Sequence, residues 1–194
     1  MDLLPELTAR RAYRSISAEE LAGEEVTALL AAARLAPSCF NNQPWRLVAA
    51  RGEILAKLRE ALPEGNKWAT RAPLLVVFAT KASLDCRLDE GRDYAYFDTG
   101  LAAMALLLEA TRRGLRAHPI AGYSPAKVRK AVELPPDFVP LALVVVGKPG
   151  DDELLAPWQK ERERGPRERK PLGEVAYDGL WERPWPFPAP EEGA

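Results

Sequence analysis

Hydrophobic and polar positions repeat along this chain with two periods. Residues 3–11 read as a short first helix that ends in a run of arginines. Ser17 followed by Glu20 is a capping-box pattern and predicts a second helix from about residue 18, with Leu21, Val26, Leu29, Leu30 and Ala33 on one face. Pro37 stops that helix, because a proline excludes the α conformation at Ala36. Residues 45–51 read as a strand, residues 54–61 as a helix carrying Leu55 and Leu58, and residues 63–66 as a turn. The run from Pro73 to Thr80 is continuously apolar and of strand length, so both of its faces are expected to be buried. A polar connection follows at residues 81–90. Residues 93–114 then repeat with a helical period, placing Tyr94, Phe97, Leu101, Ala105 and Leu108 on one stripe with Met104 and Leu107 beside it. A helix so broadly apolar is expected to be central or to lie in a subunit interface. Residues 118–123 read as an extended piece and a turn, 124–133 as a helix with Pro125 in its first turn, and 139–146 as a second apolar strand.

Beyond Gly150 the pattern changes. Residues 151–170 are rich in charge, and residues 181–194 are rich in proline and tryptophan. Trp158, Trp181, Trp185 and Phe187 carry too much apolar surface for a free tail, so this stretch is expected to wrap its own domain or a partner. We read residues 1–150 as a core and residues 151–194 as an extension of the same domain. The chain of 194 residues is long enough for one sizeable core and short for two.

Composition narrows the function classes. The net charge is −1, from 27 basic and 28 acidic residues, so no global basic excess argues for nucleic acid. No apolar run approaches the roughly 20 residues that span a bilayer, and the first residues lack a secretory signal pattern. Cys39 and Cys86 are too few for a disulfide framework or a cysteine zinc site, and the single His118 argues against a histidine metal site; a reduced cytoplasmic protein without metal is the plain expectation. No G-x-G-x-x-G fingerprint and no Walker A loop occurs, so neither a Rossmann nor a P-loop nucleotide site is indicated.

Four stretches carry candidate chemistry. Between the second helix and the first strand, Asn41, Asn42 and Gln43 offer three carboxamides in a proline-bounded loop. They suit either the polar edge of a heterocycle or bonds to their own backbone. Arg10-Arg11-Ala12-Tyr13-Arg14 sets three guanidiniums in five residues, either a solvated helix end or a binding site for an anion. A second basic run covers residues 164–172. Asn66 sits in a turn just before the central strand. His118 beside a proline turn reads as structural rather than catalytic, and no paired motif supports Cys39 as a nucleophile.

Pro37-Ser38-Cys39-Phe40-Asn41-Asn42-Gln43-Pro44-Trp45 closely resembles the P-S-x-x-N-x-Q-P-W segment of the nitroreductase family of flavin-dependent reductases. Residues 10–14 resemble that family's R-R-S-x-R motif for the FMN phosphate and ribityl chain, with Ala12 in place of the usual serine. Arg167 and Arg169 match a late basic segment that returns to the phosphate. Pro119-Ile120-Ala121-Gly122-Tyr123 resembles P-I-x-G-F, with Ala121 where many relatives carry glutamate. The resemblance implies an α+β fold with a central, mainly antiparallel sheet flanked by helices, in an intertwined homodimer. It implies FMN at the subunit interface, held by Arg10, Arg11, Arg14, Pro37, Ser38, Cys39, Asn41, Gln43, Asn66, Pro119, Ala121, Gly122, Arg167 and Arg169. NADH or NADPH would be the electron donor and a nitroaromatic, quinone or related small oxidant the acceptor, in ping-pong order. No protein side chain is expected to be catalytic, since the flavin carries the chemistry. Arg10, Arg11 or Lys67 would stabilise the reduced flavin by charge. An oxygen-using or flavin-fragmenting enzyme of the same fold, and a non-catalytic FMN-binding protein, are the alternatives.

Overall fold

A strand with no polar face must be covered on both sides, and that requirement organises the molecule. The computed structural model describes residues 3–188. In chain order the elements are α1 (Pro5–Ala9), α2 (Gly23–Arg34), β1 (Arg46–Ala50), α3 (Gly52–Arg59), β2 (Leu74–Thr80), β3 (Arg87–Leu88), β4 (Arg92–Asp93), α4 (Tyr94–Arg112), β5 (Arg116–Ile120), α5 (Pro125–Ala131), β6 (Val139–Gly147) and α6 (Pro157–Arg164). Four strands make one antiparallel sheet in the order β1-β2-β6-β5, and β3 pairs with β4 in a small separate hairpin.

Every residue of β2 is buried. Leu74, Val76 and Phe78 pack on one side with Leu29 and Ala33 of α2 and with Ala102 and Leu106 of α4. Leu75 and Val77 pack on the other with Leu55 and Leu58 of α3, Val128 of α5 and Trp68. The alternation of side chains along a strand thus divides the core into two layers, each closed by helices. Full burial of one such Leu or Phe stabilises the fold by about 1.5–3 kcal/mol. The α+β architecture with an antiparallel sheet flanked by helices is the one expected.

The second helix begins later than the Ser17 pattern suggests. Ser17 accepts instead from the Glu19 amide, at 3.1 Å, and the helix starts at Gly23 with Glu25 accepting the Ala22 amide at 2.8 Å. Leu21 and Val26, both buried in the same cluster, bracket this start as a hydrophobic staple. Residues 15–17 are drawn into extended pairing: Ile16 bridges Pro149, the Ser17 amide donates to Lys148 at 2.9 Å and the Gly150 amide donates to Ser15 at 2.9 Å. The first helix is also shorter than expected, so residues 10–14 leave it before the arginine run. The turn expected at 63–66 continues as a 3-10 segment, Glu64–Arg71, which buries Trp68 and Ala69.

Leu155 joins the core, whereas none of the described residues beyond 170 does. Residues 172–187 fold on themselves, with Tyr177 bridging Pro184, Tyr177 against Trp181 at 4.8 Å and Trp185 against Phe187 at 5.7 Å. Trp181 is 80% exposed and Phe187 64%. Phe97 on α4 is 60% exposed as well, which leaves an apolar patch on that helix.

Gly150 lets residues 15–17 lie against the segment that follows β6. A Cβ there would stand 2.5 Å from the Ser17 nitrogen, 2.6 Å from the Ile16 carbonyl carbon and 2.8 Å from the Ser17 Cα. All three are backbone atoms and cannot swing aside. Gly150→Ala is expected to cost about 1–3 kcal/mol in urea unfolding, whereas Gly23→Ala, with open space around its Cβ, should change stability by less than about 1 kcal/mol.

Candidate functional site

Residues 10–14 leave α1 at Arg10, whose backbone is extended, and form no regular element of their own. Tyr13 lies between two guanidiniums, with Arg116 at 4.4 Å from its ring centre and Arg11 at 5.9 Å. The Tyr13 carbonyl meets His118 Nδ1 at 3.1 Å. The other side of the segment is held by the far end of the chain. Glu163 of α6 accepts the Arg14 amide at 2.7 Å, the Ser15 amide at 3.3 Å and the Ser15 hydroxyl. Arg14 lies over the Trp158 ring at 5.5 Å. Arg11 donates to the Gly165 carbonyl, and Arg167 donates to the carbonyls of Arg10 at 2.9 Å and Leu7 at 3.1 Å.

The result is a cavity of about 390 Å³ lined by Arg10, Arg11, Arg14, His118, Arg167 and Arg169, among others. Both basic stretches singled out in the sequence meet there. Among the described residues, no acid pairs with Arg10. Arg10 has its pKa lowered by burial and then by repulsion from Arg167 and Arg169. Burial likewise lowers that of Arg14, partly offset by Glu163. Glu163 is itself engaged by the backbone of residues 14 and 15. Part-buried like charges held this close favour an anion able to accept several N–H groups at once.

Asn66 and the 119–122 stretch are brought together. Asn66 Nδ2 donates to the Gly122 carbonyl at 2.7 Å, and its Oδ1 accepts from Trp68 Nε1 at 3.3 Å. A Cβ at Gly122 would stand 3.0 Å from Asn66 Nδ2, tighter than ordinary contact, so the Asn66 amide would have to give by a few tenths of an ångström. Trp68 in turn packs against His118 at 4.8 Å, which links this group to the basic cavity. Pro119 lies in β5, opposite Val144 at the sheet edge, where a missing N–H is tolerated; Ala121 is exposed. Lys67 is elsewhere: it pairs with Glu64 at 3.3 Å and its side chain is 67% exposed.

The carboxamide loop does not line the arginine cavity of its own chain. Phe40, Asn41 and Gln43 have φ values of 48°, 58° and 49°. Asparagine tolerates this left-handed region, whereas phenylalanine and glutamine adopt it at a cost of about 1–3 kcal/mol each. Ser38 Oγ accepts the Gln43 amide at 2.9 Å, and Gln43 Nε2 reaches both the Asn41 carbonyl and its Oδ1 at 3.2 Å. Below the loop, the Cys39 amide donates to Asp98 at 2.7 Å and Asn42 donates to Asp85 at 3.0 Å. Phe40 is left 90% exposed. The loop is therefore braced from beneath and presents an apolar ring and two amides outward.

Sequence reading missed the braces. Asp98 sits within an apolar helical stripe, and Asp85 in a stretch read only as a polar connection. Glu163 and Trp158 belong to a run whose charge pattern looks like a solvated helix. Asp98 is 2% exposed, and the single carboxylate within the otherwise uncharged run of residues 94–108 is the signal for it.

Burial, followed by the positive charges of Arg14 and Arg10, pushes His118 down to about 4, against bonding to the Tyr13 carbonyl that favours the charged form. A neutral ring bonded to a carbonyl carries its proton on Nδ1. Because the folded pKa lies below the unfolded one, the stability contributed is complete above about pH 6.5 and is lost as pH falls toward 4. The expected loss is about 3 kcal/mol across that window, read as the denaturation midpoint against pH, and His118→Gln should flatten the profile.

Comparison with known proteins places this geometry in context. Residues 7–67 and 62–148 match the model of the nitroreductase family. An uncharacterized 15.4 kDa protein of Mycolicibacterium smegmatis is 36% identical over 144 residues, covering 70% of this chain and 89% of that one. An NAD(P)H FMN reductase of Bacillus subtilis is 24% identical over 172 residues, covering 80% and 69%. A crystal structure described as an oxidoreductase containing FMN superposes with a TM-score of 0.84 at 30% identity, over 94% of each chain. The matched span runs from the arginine segment through the sheet, and the chain belongs to the nitroreductase family.

Proposed function

We propose that this protein is an FMN-dependent oxidoreductase that works as a homodimer. The observation that carries the reading is the convergence of Arg10, Arg11, Arg14, Arg167 and Arg169 on one cavity. A flavin phosphate supplies the dianion that these like charges call for. When bound, FMN would supply two-electron redox chemistry, accepting hydride from NADH or NADPH and returning it to a nitroaromatic, quinone or related small oxidant in ping-pong order.

The residues of the chain have separable tasks. Arg10, Arg14, Arg167 and Arg169 would hold the phosphate end, with Glu163 fixing the backbone that carries Arg14. Asn66 and the backbone at Ala121 and Gly122 would face the ring, on the side reached through Trp68 and His118. Pro37, Ser38, Cys39, Asn41 and Gln43 belong to the braced loop, which lies away from the arginine cavity of its own chain. They would serve the flavin of a second copy. That assembly would also cover Phe97, the tail aromatics and Phe40, which the single chain leaves exposed. Without a carboxylate at residue 121, no protein acid is available there, and hydride transfer itself needs none.

The purified protein is expected to be yellow, or to take up added FMN at one per chain. A colourless protein that takes up none overturns the reading. Arg14→Ala should weaken FMN binding about 10- to 100-fold, the value of one or two charge-assisted hydrogen bonds, and the loss should deepen with salt. Subunit sharing has its own test. Arg14→Ala and Gln43→Ala chains, mixed after unfolding, should regain about a quarter of the sites in random dimers. If each site drew on one chain alone, mixing would restore nothing.

A further inference from the structure

Under the carboxamide loop, the chain's two cysteines meet. Cys39 Sγ and Cys86 Sγ are 2.6 Å apart, although 47 positions separate them in sequence. That is well inside the contact distance of unbonded sulfurs and about half an ångström beyond the roughly 2.05 Å of a covalent S–S bond. Each is anchored by its backbone: the Cys39 amide donates to Asp98 at 2.7 Å and the Cys86 amide to Asp85 at 2.8 Å. Both side chains are half-buried, within reach of small solutes.

We propose that Cys39 and Cys86 form a reversible intramolecular disulfide, a modification site that ties the loop at residues 38–44 to the segment entering β3. The oxidant is a low-molecular-weight disulfide, RSSR. The Cys39 thiolate attacks one sulfur of RSSR, the RSSR bond breaks and RS⁻ leaves. The Cys86 thiolate then attacks the Cys39 sulfur, the mixed disulfide breaks and a second RS⁻ leaves. The two thiol protons end on the two released thiolates. The cysteines have given up two electrons, and RSSR has become two RSH.

The Cys86 thiol is pushed up to about 11 by the bond with Cys39 first, then by burial and by the charges of Cys39 and Asp85. Capping Cys39 removes the first of these causes, which suits Cys86 to the second step. The competing occupant is a soft cation, since Cys39, Asp85 and Cys86 offer ligand atoms within 4.8 Å of one another. Two thiolates on one tetrahedral zinc would stand about 3.8 Å apart, each about 2.3 Å from the metal. The observed separation is far shorter and fits the covalent link.

The test uses the whole folded protein, incubated with oxidised and then reduced glutathione. Titratable thiols should fall from two to none and return on reduction. The oxidised chain should lose two hydrogens in mass, digestion should yield one peptide pair linked through Cys39 and Cys86, and the rate should rise between pH 7 and 9. The oxidised form should melt roughly 5–15 °C higher than the reduced form. Cys86→Ser should stop at a glutathione adduct on Cys39. Thiols that remain titratable, a link between two chains, or stoichiometric zinc on the purified protein would each overturn the proposal. Each readout reports on thiols, mass or melting rather than on flavin, so its failure is distinguishable from failure of the proposed function.

Discussion

Repulsion between arginines is the constraint from which the rest follows. Arg10 is pressed by Arg167 and Arg169, although these residues come from opposite ends of the chain. Such an arrangement does not assemble by itself. It is held largely by bonds to the backbone: the Glu163 carboxylate on the amides of residues 14 and 15, the Arg167 guanidinium on the carbonyls of residues 7 and 10, and the Gly150 amide on the carbonyl of Ser15. The charges are the cargo of a backbone scaffold, and the scaffold depends on a glycine that lets two extended segments touch.

The sheet serves the same end. Its middle strand is sealed between two layers, which leaves little freedom for β6 and β5 to shift. The last residue of β6 leads into Pro149 and Gly150, and β5 carries His118 and leads to Gly122. A rigid core therefore delivers both the seam that holds the arginines and the close approach of Asn66 to its glycine. His118, buried between them and kept neutral, adds no further positive charge to a place already crowded with it.

The core was legible because its cause is local. The run at residues 74–80 has no polar residue until Thr80, and burial on both sides follows directly. The arginine motif was legible as a motif, but its geometry was not, since the sequence pattern suggested a helix through residue 11 and a helix start near residue 18. Pairing of Ile16 with Pro149 overrides both, and a partner 133 positions away leaves no local trace. Asp98 and Asp85 were opaque for a related reason. Their role is to brace a loop from below, and nothing in their neighbours' periodicity shows what lies above them. The stretch beyond Gly150 was read as wrapping its own domain or a partner: Trp158 lies against Arg14 of the same chain, whereas Trp181 packs on Tyr177, Trp185 on Phe187, and Trp181, Trp185 and Phe187 stay exposed.

Pro119 has an effect beyond its place near Gly122. It sits in β5, which among the described residues is the outermost strand on its side and pairs with β6. A strand lacking one amide makes a poor template for a foreign strand. Among the described residues, that margin of the sheet is accordingly less suited to lateral pairing than the opposite edge, β1, which carries no proline.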